Sequence, residues 1–312
     1  MSSPTPQNPG MSNWLLITFL GVIWGAAFMT QAIALEGFAP LTLAALRTSI
    51  AAVFLWGVGA MAGQPLSSIT RQAGARGWRF SFVIGLASFA VPFVLLAWGL
   101  QFVPSAFAGI TMGMLPLLIL PLVAVFSPEE GIGPRRIVGV TLGFIGLIIL
   151  IGPEAILARA GDNGLWGRLA CIGAACCYAI GSVATRLAPK MPPIAFAAAT
   201  LGAAGCLLMP LALAVEGIPN DLSLRPVLAL LYVALLPTAI AGVIRIRVIT
   251  TAGSLFMSIT NYMVPVWAVI FGVTLMREDL PAQMYVALAL ILLGIAVSQS
   301  RAIQASVRAR RR

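Results

Sequence analysis

Five polar side chains crowd into a stretch that is otherwise apolar. Within Ser254-Leu-Phe-Met-Ser-Ile-Thr-Asn-Tyr-Met-Val-Pro265, Ser254, Ser258, Thr260, Asn261 and Tyr262 offer hydroxyl, amide and phenol groups. Ser254, Ser258, Asn261 and Pro265 are spaced four, three and four, so a helix puts them on one face. In an apolar cleft such a face suits a small amphipathic molecule with one polar end. The competing use is as glue between buried helices. Asn261 is the costliest of the set to bury and the strongest candidate for a cavity. Pro265 frees a backbone carbonyl, which can bind a solute or let the helix bend.

The stretch has an echo 149 residues earlier. Ser105/Ser254, Phe107/Phe256, Ile110/Ile259, Thr111/Thr260, Met114/Met263 and Pro116/Pro265 are identical pairs. Thr111, Met112 and Pro116 are therefore candidates of the same kind, with Pro116 and Pro265 as hinges. Further along, Glu129 matches Glu278 at the same offset, and Trp24-Gly25 pairs loosely with Tyr178-Ala179. A polar segment at membrane depth that recurs once per half-chain is the pattern of a transporter's central site.

Elements to carry these residues follow from composition. The 312 residues are 60% hydrophobic and 9% charged, with a mean hydropathy of +1.00, against about 25% charged in a soluble domain. Ten apolar segments are each near the length that spans a bilayer: 14–35, 41–62, 78–99, 104–127, 135–152, 165–187, 193–215, 226–247, 253–276 and 281–299. Pro40, Pro104, Pro134, Pro193, Pro226 and Pro281 sit at or near their starts, where a missing N–H costs least, and Gly63, Gly152 and Gly217 near ends. The expected fold is all-α and polytopic, with ten transmembrane helices in two five-helix repeats, 14–152 and 165–299. Residues 1–13 read as a disordered tail, 63–77 as a loop and 300–312 as a basic tail. Five is odd, so the second repeat enters the membrane from the opposite side and is inverted.

The net charge is +10, with no His and a single lysine, Lys190. With the N-terminus inside, Arg71, Arg76, Arg79, Arg135, Arg136, Arg186, Lys190, Arg245, Arg247 and the five tail arginines gather on the inner side. Arg159, Arg168, Arg225 and Arg277 fall outside. This bias places both termini in the cytoplasm of a bacterial-type inner membrane. The basic partner is then the lipid surface and not nucleic acid. Cys171, Cys176, Cys177 and Cys206 lie in apolar segments and read as small hydrophobes.

The fourth and fifth segments of each half share an alanine/serine start, a mid-helix proline (Pro116, Pro265), a terminal acid (Glu129, Glu278) and a Gly-rich last helix. In this the chain resembles the ten-helix EamA-type exporters of the drug/metabolite transporter superfamily over about 14–299. Within them it is most similar to amino-acid exporters, the YddG type for aromatic amino acids included. The resemblance implies a basket whose third, fourth, eighth and ninth helices line a cavity, aided by the first and sixth.

Trp24, Phe28, Phe93, Trp98, Tyr178 and Tyr262 are aromatics that can enclose a solute or form interfacial belts and packing. Arg47, seven residues into the second segment, can snorkel or pair internally; the resemblance implies a structural role. Arg245 and Arg247 stand where the first repeat has Leu96 and Trp98, a departure from the aromatic usual in the family. Arg245 either meets a carboxylate in the cavity or anchors the inner face. No acid falls clearly within a segment and His is absent, which argues against carboxylate-based proton coupling. No Walker motif supplies an ATP motor, and no cofactor or metal is expected. Gly21-x-x-x-Gly25 and Gly139-x-x-x-Gly143 suit packing within the chain, so a monomer or weak homodimer is expected. The expected function is not enzymatic. It is secondary export of amino acids or similar small amphipathic metabolites by alternating access, gradient-driven and facilitated or weakly coupled. The alternatives are a carrier of another class of solute (organic anion or drug-like), a channel, or an intramembrane lipid-modifying enzyme.

Overall fold

A computed structural model describes residues 10–126, 133–152, 163–219 and 223–310, with side chains except those of 123–126, 254–255 and 300–310. Among these residues there is no strand. Lipid offers no partner for backbone N–H and C=O groups, so each crossing segment satisfies its own as a helix. The helices are α1 (Gly10–Ala34), α2 (Pro40–Met61), α3 (Ser67–Gly99), α4 (Ser105–Gly113 continuing as Leu115–Phe126), α5 (Pro134–Ile151), α6 (Gly164–Leu187), α7 (Pro193–Val215), α8 (Leu224–Ala252), α9 (Thr260–Thr274) and α10 (Ala282–Arg310). Nine are long and apolar enough to cross a membrane; α9 is apolar but shorter. Exposed Val53, Trp56, Ile148, Leu213 and Val286 cover the outside, as a lipid-facing surface requires.

Four sequence expectations need correction. Residues 67–73 are helical, not loop, because Ile69 is drawn into a small apolar cluster with Ala195 and Ala199 of α7. The chain then breaks at Gly74 (φ 55°, ψ −146°), a conformation only glycine takes without strain. At the ends, α1 starts at Gly10 within the expected tail, and α10 runs on to Arg310. The fourth segment is interrupted at Met114, two residues before Pro116. The ninth breaks at Ser258–Ile259, between a short turn Ser254–Met257 and α9, so that Pro265 lies inside intact helix.

The most extensive packing joins one half to the other: α2 with α7, α5 with α10, α1 with α9 and α8, α6 with α3 and α4, and α4 with α9. Glycine permits the close approaches. Gly21 faces Met263 and Gly25 faces Trp267 across α1–α9; Gly139 meets the Gly294 carbonyl across α5–α10. Both glycine motifs are thus used inside the chain.

Hydrogen bonds tie the same partners end to end. The Glu216 carboxylate, just past α7, accepts from the N–H groups of Leu41 (2.9 Å) and Thr42 (2.7 Å) at the start of α2. Gln64, just past α2, accepts from Ile194 N–H (3.0 Å) at the start of α7. Each helix of this pair therefore ends on the cap of the other. Glu278 accepts from Ser105 N–H (2.6 Å) and Ala106 N–H (3.1 Å), closing the start of α4. Its repeat counterpart Glu129 lies outside the described residues.

Both halves carry one further irregularity at matching places. A π-helical turn spans Leu86–Ala90 in α3 and another spans Leu235–Ile240 in α8. They are 149 residues apart, the offset of the sequence echo. Such turns recur at functional sites because the extra residue loosens the helical register.

Candidate functional site

Between the halves lies a cavity of about 290 Å³, walled by Leu115, Pro116, Ile119 and Leu120 of α4, Arg136 of α5, Ser182 and Arg186 of α6, Arg245 of α8 and Asn261 of α9. It is near the lower limit for a small-molecule site. Three arginines, an amide and a hydroxyl converge on it, and among the described residues no carboxylate is in its walls. Arg245 and the Asn261 amide are groups that suit an anion or the carboxylate of a zwitterion. Ser105 and Leu120 are fifteen residues apart on α4, roughly 22 Å along the axis. The cavity thus lies toward the face opposite the Glu278 cap. A larger depression of about 480 Å³, walled by Thr30, Ile33, Leu224, Arg225, Leu228, Ala229 and Tyr232, runs between α1 and α8. Its one cation, Arg225, is paired with Glu36 at 3.4 Å. It lacks a convergent polar set, so the smaller cavity is the better site.

Deeper in the protein, Arg47 on α2 is buried. It does not snorkel, and among the described residues it pairs with no acid. Its Nε donates to Thr238 Oγ1 (2.9 Å), inside the π turn of α8, and an Nη1 hydrogen goes to Gln31 Oε1 of α1 (2.7 Å). The guanidinium lies 3.8 Å over the Phe93 ring, and Phe93 meets the edge of Tyr178 at 6.4 Å. Neutral oxygens and a π face partly offset the desolvation of such a charge.

Of the residues that sequence spacing selects, Asn261, Arg245 and Pro116 line the cavity. Phe93 and Tyr178 surround Arg47. The others have different surroundings. Thr111 and Thr260 donate back to the carbonyls of Phe107 (2.9 Å) and Met257 (2.8 Å). Both are fully enclosed, so their hydroxyls serve their own helix. Ser258 donates to Gln299 of α10 (3.1 Å), which is the glue role. Met112 and Tyr262 pack against the largest apolar cluster, the Tyr262 hydroxyl without a partner among the described residues. Phe28 belongs to that cluster. Trp24 Nε1 donates to the Pro237 carbonyl in the π turn (2.9 Å). Trp98 is on the outside against Phe102. Pro265 abuts Gly113, and the Ser254 side chain is outside the described set. The single polar face expected for the ninth segment is therefore divided between the cavity, α4 and α10.

A match to the model of the EamA-like transporter family covers residues 12–152 and again 165–299. The chain belongs to that family. The uncharacterized transporter YoaV of Bacillus subtilis is 25% identical over 276 residues, 88% of this chain and 92% of the relative. The uncharacterized inner membrane transporter YedA of Escherichia coli is 28% identical over 284 residues, 88% and 87% of the two chains. A probable terminal-alkyne amino-acid exporter of Streptantibioticus cattleyicolor is 26% identical over 302 residues, 93% and 94%. A solved crystal structure superposes with a TM-score of 0.65 over 92% of this chain and 97% of its own, at 22% identity. The chain is an EamA-family transporter and a multi-pass membrane protein.

The family pattern draws attention to α1, α3, α4, α6, α8 and α9, but the cavity wall includes α5 through Arg136 and leaves out α1 and α3. Sequence reasoning assigned Arg136 and Arg186 to the inner surface and passed over Ser182. A usable signal was present. Tyr178, Ser182 and Arg186 are spaced four and four, one face of α6. In the loose repeat alignment Ser182 stands where α1 has Phe28. Phe28 fills its side against Gly109 of α4; the smaller Ser182 borders open space on the other.

Proposed function

We propose that this transporter moves amino acids, aromatic ones included, or similar small amphipathic metabolites outward across the inner membrane. It does so by alternating access between its inverted halves. The observation that supports this most is the cavity at their junction, in which Asn261, Ser182 and three arginines face apolar walls. The relative named as an amino-acid exporter points the same way. An organic anion is the second reading, favoured by the arginines alone. The cavity belongs to an inward-facing state if the termini are cytoplasmic, as the charge bias proposes. Then the Glu278 cap closes the outer face and α4 and α9 exchange partners during the cycle. An intramembrane enzyme has less support, since the spans hold serines but no His base. A thermal-shift and flux screen of amino acids on purified protein tests the reading. Saturable stabilisation by a set of amino acids, weakened in Asn261→Ala, supports it. No stabilisation and flux equal to empty vesicles removes the amino-acid cargo.

A further inference from the structure

We propose that Arg47 is a buried binding site for the cargo's negative charge, reached from the arginine-lined cavity and decisive for the transporter's choice between anionic or zwitterionic solutes and cations. This rests on the carrier reading above and extends it to a site that the cavity walls do not include.

Arg47 is seven residues into α2, roughly 10 Å along the axis from its start. A guanidinium keeps its charge at such depth. An unpaired charge there is costly and tends to mark a solute path. All the hydrogen-bond acceptors it has are neutral: Gln31 and Thr238. These take two of five N–H groups, and the others have no protein acceptor among the described residues. Arg47 is 7% exposed and the Tyr178 side chain, within electrostatic reach of it, is half-buried. A planar fork with free donors beside a phenol is the geometry that receives a carboxylate.

Two helices connect this point to the cavity. On α6, Tyr178, Ser182 and Arg186 share one face, and Ser182 donates to the Tyr178 carbonyl at 2.8 Å. Arg186 and Ser182 are in the cavity wall, and Tyr178 is beside Arg47. The track covers eight residues, roughly 12 Å. On α8, Arg245 is in the wall and Thr238, seven residues back on the same side, holds Arg47. Arg245 in the wall attracts an anion, and Arg47 provides its next stop. Both π turns adjoin that stop: Thr238 is within the second, and Phe93 follows the first by three residues. A bound carboxylate is thus placed where both halves can shift register around it.

The test compares three probes of similar shape on purified protein: 3-phenylpropionate, L-phenylalanine and L-phenylalaninamide, with inorganic phosphate as a fourth. Affinity is read from thermal stabilisation against concentration. The wild type is expected to bind the two carboxylates at least tenfold more tightly than the amide. In Arg47→Gln that preference is expected to fall to within twofold, with amide binding unchanged. Arg47→Lys retains charge without the fork and is expected to lose about half of the preference on a logarithmic scale. If Arg47→Gln does not fold, Arg47→Lys and Tyr178→Phe carry the comparison, the latter with a loss of threefold or more for carboxylates alone. A role confined to holding helices together moves all probes equally, and that result overturns the proposal. Stabilisation by phosphate alone, abolished in Arg47→Gln, sustains the anion site while removing the amino-acid cargo. Equal response of wild type and Arg47→Gln to every anion overturns the site.

Discussion

Replacing Glu278 with Gln should unlatch the face opposite the cavity. The carboxylate accepts from two backbone N–H groups at the start of α4, at 2.6 and 3.1 Å. Gln is isosteric but has one acceptor oxygen and no charge. The loss of one charge-assisted bond, with weakening of the other, amounts to about 1–2 kcal/mol. The attraction of the anion to the helix N-terminus adds about 0.5 kcal/mol at a half-buried site. A total of about 2 kcal/mol corresponds to roughly a 30-fold change in an equilibrium. If the cap holds this face closed, the population open on that side rises by that factor. Ser105→Cys is a suitable reporter, since Ser105 is buried, its Oγ has no partner, and the substitution is close to isosteric. With Cys171, Cys176, Cys177 and Cys206 changed to Ala, maleimide alkylation in detergent should run roughly 30-fold faster in the Glu278→Gln background. A rate within threefold of the parent, together with a lower melting temperature, would refute the latch. It would leave Glu278 as a helix cap only.

Other substitutions separate cavity from core. Asn261→Ala should weaken solute binding about tenfold, the worth of one lost hydrogen bond near 1.4 kcal/mol, with little change in melting temperature; a thermal-shift titration reads both. Thr111→Val should leave transport within twofold of wild type, since its hydroxyl serves the Phe107 carbonyl; a large loss of affinity, measured by the same titration, would return Thr111 to the site. Gly109→Ala places a methyl into Ala268 at the α4–α9 crossing and should lower stability by about 1–3 kcal/mol through overpacking, seen as a reduced melting temperature with transport lost or locked.

The ten helices are legible in the sequence because lipid admits few other solutions: each needs about 20 apolar residues, and proline and glycine mark the ends. The repeat is legible because Ser105-to-Pro116 is copied at Ser254-to-Pro265, and the paired π turns share that offset. Thr111 and Thr260 show where pattern reading fails. A hydroxyl facing a cavity and one bonded to its own helix look the same in sequence, and both threonines chose the helix. Arg47 shows the reverse failure. Its partners Gln31, Thr238 and Phe93 come from three separate helices, and none is notable alone. Only the packing of α1, α3 and α8 around α2 turns a lone arginine into a charged centre with no acid beside it among the described residues. Arg136 and Arg186 read as inner-surface charges, and Arg186 is indeed exposed; that both also border the cavity depends on how α4, α5 and α6 part.

Counterflow is the most direct test of alternating access through this cavity. Proteoliposomes are loaded with unlabelled amino acid, and entry of the labelled form is followed from dilute external solution. The account predicts transient accumulation of label that saturates with internal solute and is reduced at least tenfold in Asn261→Ala under subsaturating conditions. Entry that is unsaturable and indifferent to internal solute, in either protein, would contradict it.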